Sequence, residues 1–328
     1  MKSIFEVGTL CALGLAACLA WGCGDDDGAG DGGTDTDTDT DADSDAGIDT
    51  EGHDFLIDGG CDPNTLVGAF DVASRDMGVV KYAVVSGSIA DGVNWNTTAL
   101  LQHDEGECKL YEFSMWSCSP ACGGGEICNN ESDCVPFPAN LDWGTAIAAG
   151  LTTPVRMEPD TSFNYQFQDN PTTEVAELEN PPFVPGERVV LWAEGGPETQ
   201  EIFLDGMGVT PLEVETKDYT MYDDMDMEVT WVPSDDTEGE IFGQFTIDQH
   251  GASKMWVYCS WEDDGSGIIP ANLVHELYVD LLEAPLLGFA TAYLFRRTVD
   301  SIELPQGCVE FRVLSQIQLN LDFIPPTK

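Results

Sequence analysis

The feature that most restricts the fold of this chain is a two-residue alternation of apolar and polar side chains. It returns, with β-branched and aromatic enrichment, in "VVKYAVVSGSIA" (79–90), "SFNYQFQ" (162–168), "ERVVLWAEGG" (187–196) and "TQEIFLDG" (199–206). The same character marks "EVTWVP" (228–233), "EIFGQFTID" (240–248), "KMWVYCSWED" (254–263), "LLGFATAYLFRR" (286–297) and "GCVEFRVLSQIQLNLDF" (307–323). Successive side chains of a strand point to opposite faces, so such runs read as half-buried strands. Turn-forming residues recur between them, which favours antiparallel sandwiches over a parallel sheet.

One stretch breaks the pattern. Pro270 opens "PANLVHELYVDLLEA", in which Leu273, Leu277 and Leu281 recur at helical spacing with Val274, Tyr278 and Leu282 beside them. Proline in the first turn is a helix-start signal, so the spacing predicts a helix over Ala271 to Leu282 whose apolar stripe packs on a sheet. That segment and the apolar run Leu286 to Phe295 are both too short to span a membrane, which takes about 20 apolar residues.

The start of the chain has a different character. Met1 and Lys2 precede an apolar stretch from Ile4 to Trp21, interrupted by Glu6. A basic start, an apolar middle and a small-residue exit describe a secretory signal. Its exit, Leu15-Ala16-Ala17-Cys18, resembles the lipobox of bacterial lipoproteins. The resemblance implies cleavage after residue 17 and a thioether-linked diacylglycerol on Cys18. Cys23 is the rival, but Trp21 stands where the motif takes a small or aliphatic side chain. Each buried methylene of an acyl chain contributes about 0.8 kcal/mol, so several chains on one cysteine anchor without a basic patch.

From Gly24 to Gly60 the chain carries 13 Asp, 1 Glu and no Lys or Arg. With almost nothing to bury, such a segment cannot offset its ordering entropy, and 18–60 reads as a disordered tether. As a flexible coil it reaches roughly 35 Å. Asp43-Ser44-Asp45-Ala46-Gly47 has neither the spacing nor the closing Glu of a folded calcium loop. Acidity continues beyond the tether: the whole chain has 60 Asp and Glu against 12 Lys and Arg, a net charge of −48. That field disfavours nucleic acid and anionic membranes, both of which need cations to neutralise phosphate.

Eight cysteines follow Cys23: Cys61, Cys108, Cys118, Cys122, Cys128, Cys134, Cys259 and Cys308. An even number in an exported chain reads as a disulfide framework. "CSPACGGGEICNNESDC" (118–134) has Ile127 as its only sizeable aliphatic side chain, so covalent staples must hold it. Zinc is the weaker reading, because its thiolates oxidise in that compartment. The C-x3-C-x5-C-x5-C spacing resembles half of an epidermal-growth-factor-like module. This resemblance implies alternating bridges, Cys118–Cys128 and Cys122–Cys134. Cys61 then pairs with Cys108 by elimination, and Cys259 with Cys308 because both lie in strand-like runs. In its order of lipobox, Asp/Thr tether, "GECKLYEF" strand, cysteine cluster and β-rich tail, the chain resembles exported lipoproteins of myxobacteria and their relatives. The resemblance implies architecture and location, and brings no active-site residues with it.

Catalytic motifs are sparse. His275-Glu276 lacks the second histidine one turn on that a zinc protease requires, since Val279 stands there. His103, His250 and His53 have no marked neighbours. "VSGSIADG" contains no nucleophile elbow. "YDDMDMEV" and "WEDDGSG" read as solvated turns, with cation binding as the alternative. If Cys259 points inward, Trp261 joins the core, and Trp256 and Tyr258 fall on the outer face. There they pack on a neighbouring module or stack on a sugar or peptide.

The expectation is therefore an all-β protein of two antiparallel sandwich-like modules with a small disulfide-rich insert and one short helix. Its divisions are a signal at 1–17, a tether at 18–60, a β module at 61–208 containing the 118–134 cluster, and a sandwich at 209–328. The expected function is that of an outer-membrane-anchored binding or structural module of a bacterial envelope, with no cofactor, catalytic residue or metal. Its partners are the lipid membrane and a cell-surface protein or glycan, and not nucleic acid. The alternative is an extracellular hydrolase using carboxylates on polysaccharide or peptide.

Overall fold

The computed structural model describes residues 57–324 apart from 58, 96–97, 114–115, 169–177, 235–238, 249–252 and 284–288. The signal, Cys18 and the tether up to residue 56 lie outside the described residues, as do His53 and His250.

The chain opens with β1 (Leu66–Asp76), β2 (Lys81–Ile89), β3 (Ala99–Glu105) and β4 (Cys108–Phe113). A small hairpin, β5 (Glu126–Cys128) and β6 (Cys134–Pro136), follows within the cysteine cluster. Then come β7 (Ala146–Ala149), β8 (Val155–Met157), β9 (Tyr165–Gln168), β10 (Arg188–Ala193) and β11 (Ile202–Met207). The second half supplies β12 (Asp218–Tyr222), β13 (Met227–Thr230), β14 (Glu240–Asp248), β15 (Ser253–Trp261) and β16 (Ser266–Ile269). Helix α1 (Ala271–Glu283) precedes the long pair β17 (Phe289–Leu304) and β18 (Gly307–Ile324).

Among the described residues the main sheet has ten strands, in the order β3-β4-β15-β14-β17-β18-β1-β2-β9, with β12 beside the end of β18. The all-β class with one helix and a disulfide-rich insert is as expected. Two details differ. Most ladders are antiparallel, but β1 and β12 both run parallel to β18. The division near Val209 also does not separate two sheets, because strands from both sides of it interleave in one.

What changes near that point is the layer covering the sheet. Val309, Phe311 and Val313 of β18 enter a core with Phe70, Val85 and Leu191, under the four-stranded sheet β11-β10-β7-β8. Ile317 and Leu319, on the same face of the same strand, enter a second core with Phe245, Trp261 and Leu273. This second core lies under α1 and the β13–β16 ribbon. An 18-residue strand is long enough to floor both. A polar seam divides them. Arg296, 1% exposed, donates to Asp263 at 2.8 Å and to the carbonyls of Thr210 and Val232 at 3.1 and 2.7 Å. Ser315 accepts the Leu212 N–H at 2.9 Å, and Thr298 holds Met207. Buried backbone groups of the crossover thereby find partners that an apolar face cannot supply.

Helix α1 buries Leu273, Val274, Leu277 and Tyr278, as its stripe predicts, while Leu282 is exposed. Its first N–H, from Ala271, is capped by Asp226 at 2.8 Å. Trp261 fits into the second core because Gly243 and Gly267 face it. A Cβ at either would stand 2.7 or 2.4 Å from the indole.

In the insert Cys118 is bonded to Cys128 and Cys122 to Cys134, the alternating pattern, which leaves those thiols unavailable to zinc. The other two bridges correct the expected pairs. Cys61 is bonded to Cys308, and Cys108 to Cys259. Elimination suggested 61 with 108, but the sheet order sets β4 against β15, with Cys108 directly opposite Cys259. The same order lays the segment before β1 alongside the start of β18, where Leu66 is in register with Cys308.

Candidate functional site

Both cores lie on one face of the ten-stranded sheet, so every second residue of its strands points the other way. On β15 Met255, Val257, Cys259 and Trp261 are buried inward, which leaves Trp256 and Tyr258 outward and half-buried. The same parity turns Tyr111 and Phe113 of β4, Phe242 of β14, and Tyr293 and Phe295 of β17 to that outer face. Because β4, β15, β14 and β17 are consecutive neighbours, seven rings meet.

The rings form one connected network. Tyr111 to Tyr258 is 5.7 Å between centroids, Tyr258 to Phe242 is 5.4 Å, and Phe242 to Phe295 is 6.0 Å. Trp256 stacks on Tyr258 at 5.9 Å and meets the edge of Phe113 at 6.0 Å, and Tyr293 lies 6.2 Å from Phe295. Such offset and edge contacts are the favoured arrangements of aromatic pairs.

Charged pairs border the rings. The Arg297 guanidinium lies 3.6 Å above the Phe242 ring and its Nε donates to Glu240 at 2.8 Å. Arg312 donates to Asp71 at 2.6 Å and lies 3.5 Å from Glu310. Glu310 also accepts the Cys61 N–H at 2.8 Å, so the first described residues of the head run along the rim. Burial lowers the pKa of Arg297. At Arg312 burial acts in the same sense, but the charges of Asp71 and Glu310 outweigh it and the pKa is raised. Burial pushes the Tyr258 hydroxyl up to about 12, with Tyr111 adding to the effect, and raises Tyr111 and Tyr293 as well. All three phenols stay neutral donors across the ordinary pH range.

Together these groups line a groove of about 860 Å³ that includes Lys109, Tyr111, Phe242, Tyr258, Arg297 and Arg312. A smaller depression of about 340 Å³ continues past Gln244, Tyr293 and Gln316. The arrangement offers flat apolar rings edged by fixed donors and acceptors. The carboxylates Asp71, Glu240 and Glu310 each stand against an arginine.

The candidates read from sequence are scattered relative to this face. His275 is a surface residue of α1, 42% exposed, whose Nδ1 is 2.6 Å from Asp223 and 3.4 Å from Asp224. Hydrogen bonding to Asp223 raises its pKa, with the neighbouring carboxylate charges adding to it. The three side chains offer ligand atoms within 4.8 Å of one another, which places the cation alternative for "YDDMDMEV" on a defined triplet. "WEDDGSG" is not a solvated turn throughout, since Asp263 holds Arg296 and accepts from the Trp231 indole at 2.8 Å. His103 is an exposed residue of edge strand β3. Ser86 and Ser88 belong to β2.

Sequence reading located Trp256 and Tyr258 but passed over their partners. The signal was present: in "TAYLFRR" Tyr293, Phe295 and Arg297 share parity, as Phe242 and Glu240 do on β14. Only strand order shows that these sets are adjacent. No protein-family model matches the chain, and no curated protein matches its sequence.

Proposed function

We propose that this chain is a lipid-anchored protein of a bacterial envelope whose head is a binding module, with the outer sheet face as its contact surface. The observation that carries the reading is the network of seven half-buried rings across four adjacent strands, on the face opposite both cores. Aromatic side chains supply large contact area at low conformational cost, which is why they dominate binding surfaces. The groove's carboxylates are held by arginines, which suits orientation of a ligand rather than proton transfer to it. In this reading the acyl chains on Cys18 hold the protein at the outer membrane, and the acidic tether lets the head search roughly 35 Å beyond it.

Two measurements test it. Cys18→Ala should move the protein from the membrane fraction to the soluble fraction; continued acylation of that variant would refute the assigned anchor. Trp256→Ala in the full-length protein should abolish retention on purified envelope material while circular dichroism shows the variant still folded. Retention equal to that of the wild type would remove the outer face from consideration.

A further inference from the structure

We propose that the row Tyr111, Tyr258, Phe242, Phe295 is a set of consecutive subsites for one strand of neutral polysaccharide lying across the sheet. The proposal rests on the outer face being the binding surface and adds the class of ligand.

The first ground is metric. The row runs diagonally from β4 through β15 to β14, offset by two residues along the ladder at each of these steps, then directly across to β17, and its centroid steps are 5.7, 5.4 and 6.0 Å. With neighbouring strands about 4.7–4.9 Å apart, this step reflects both the strand spacing and the offset along the ladders. It is close to the advance of one pyranose ring along an extended polysaccharide, so successive sugars meet successive rings. Sugar C–H groups on one ring face are apolar and stack on an aromatic face, while the equatorial hydroxyls project sideways. Asp71 with Arg312 and the amides of Gln244 and Gln316 line the same depression as Phe242 and Phe295, while Arg297, held by Glu240, covers one face of the Phe242 ring at 3.6 Å.

The second ground is charge. On this face the cations already face anions: Arg297 with Glu240, Arg312 with Asp71, and Lys109 with Asp104 at 3.7 Å. Arg75 shares Asp71 with Arg312, so a polyanion finds the described cations of this face already beside carboxylates and meets the field of a chain with net charge −48. A neutral, hydroxyl-rich strand pays neither penalty, and oriented ion pairs give it donors and acceptors together.

The third ground is the backbone. An extended peptide gains affinity by adding to a sheet edge. The strands β15, β14 and β17 are interior to the sheet, paired on both sides, and have no free edge to offer. A peptide on this face would have to be held by side chains alone.

The test uses the full-length protein in detergent micelles, titrated with oligomers of β-linked glucose and of N-acetylglucosamine, two to six units long. Trp256 fluorescence and calorimetry provide the readouts. Affinity should rise by about five-fold for each unit added up to four and level off beyond, as stacking on successive rings implies. Tyr111→Ala, at one end of the row, should shorten that rise by one unit. Phe242→Ala, in the middle, should break it, with circular dichroism checking that both variants fold. Length-independent binding, or tighter binding of polygalacturonate than of neutral oligomers, would overturn the proposal. So would no binding of either neutral series, or protection of Trp256 only by a peptide or by self-association. If neutral oligomers fail while Trp256→Ala still loses envelope retention, the ligand class is wrong and the binding face stands. If retention is also unchanged, both readings fall.

Discussion

The two faces of the ten-stranded sheet are built from the same strands and differ only in parity, yet they obey different rules. The inner face is mainly apolar under its covering layer, with buried polar side chains such as Arg296, Thr298, Asp300 and Ser315 meeting backbone groups of that layer. The outer face carries rings and ion pairs with no second layer over them among the described residues. Its small apolar cluster, Ala73, Val84 and Leu314, is buried with Tyr82 and Phe295 packed against it. Where burial is complete, shape and volume select the residue; where it is partial, flat rings and fixed charges persist because they serve both water and a partner.

The sharpest way to break this comparison uses two phenylalanines of one strand. Phe245, fully buried on the inner face, should cost about 3–5 kcal/mol when replaced by alanine, through lost transfer and a residual cavity. Phe242, half-buried outside, should cost about 1–2 kcal/mol in the same urea titration and should remove ligand binding. Equal losses would mean that the outer face is a covered core.

The bridges extend the comparison to the insert. Removing Cys108–Cys259, which lies opposite in register within the second core, should cost about 2–4 kcal/mol of global stability. Removing Cys122–Cys134 should loosen only the 118–134 hairpin and leave the main unfolding transition in place. Peptide mapping without reduction should recover 61 linked to 308 and 108 linked to 259. A 61–108 fragment would contradict the sheet order itself.

The smallest effect concerns His275, on the helix that covers the second core. Its folded pKa is raised above the unfolded value of about 6.5 by the hydrogen bond to Asp223. The stabilisation is therefore fully present below about pH 6.5 and is lost as pH rises through the folded pKa. Because the side chain is 42% exposed, solvent screening limits the effect to below about 1 kcal/mol. His275→Gln should lower the urea midpoint at about pH 5.5 and match the wild type at about pH 8.5. A deficit that persists at high pH would assign the contact to packing instead of charge.

Much of the fold was legible because strand parity is local. The β15 pattern assigned Trp261 inward and Trp256 and Tyr258 outward without any neighbour, and the helix followed from Pro270 and the Leu273–Leu277 spacing. The remaining partners of the candidate site were illegible for the complementary reason. Tyr111 and Phe295 are separated by most of the chain, and nothing in either segment says that two strands lie between them.

By itself the sequence determined the all-β class, the helix, the acidic field, and the insert that only covalent bridges can hold. Each is a short-range property of backbone geometry, composition or loop chemistry. Tertiary structure alone decided that one sheet floors two cores, that Cys61 meets Cys308, and that seven rings from four strands form a continuous face. These depend on strand order, which is settled by how apolar surfaces from the whole chain are buried together, and no local pattern encodes that choice.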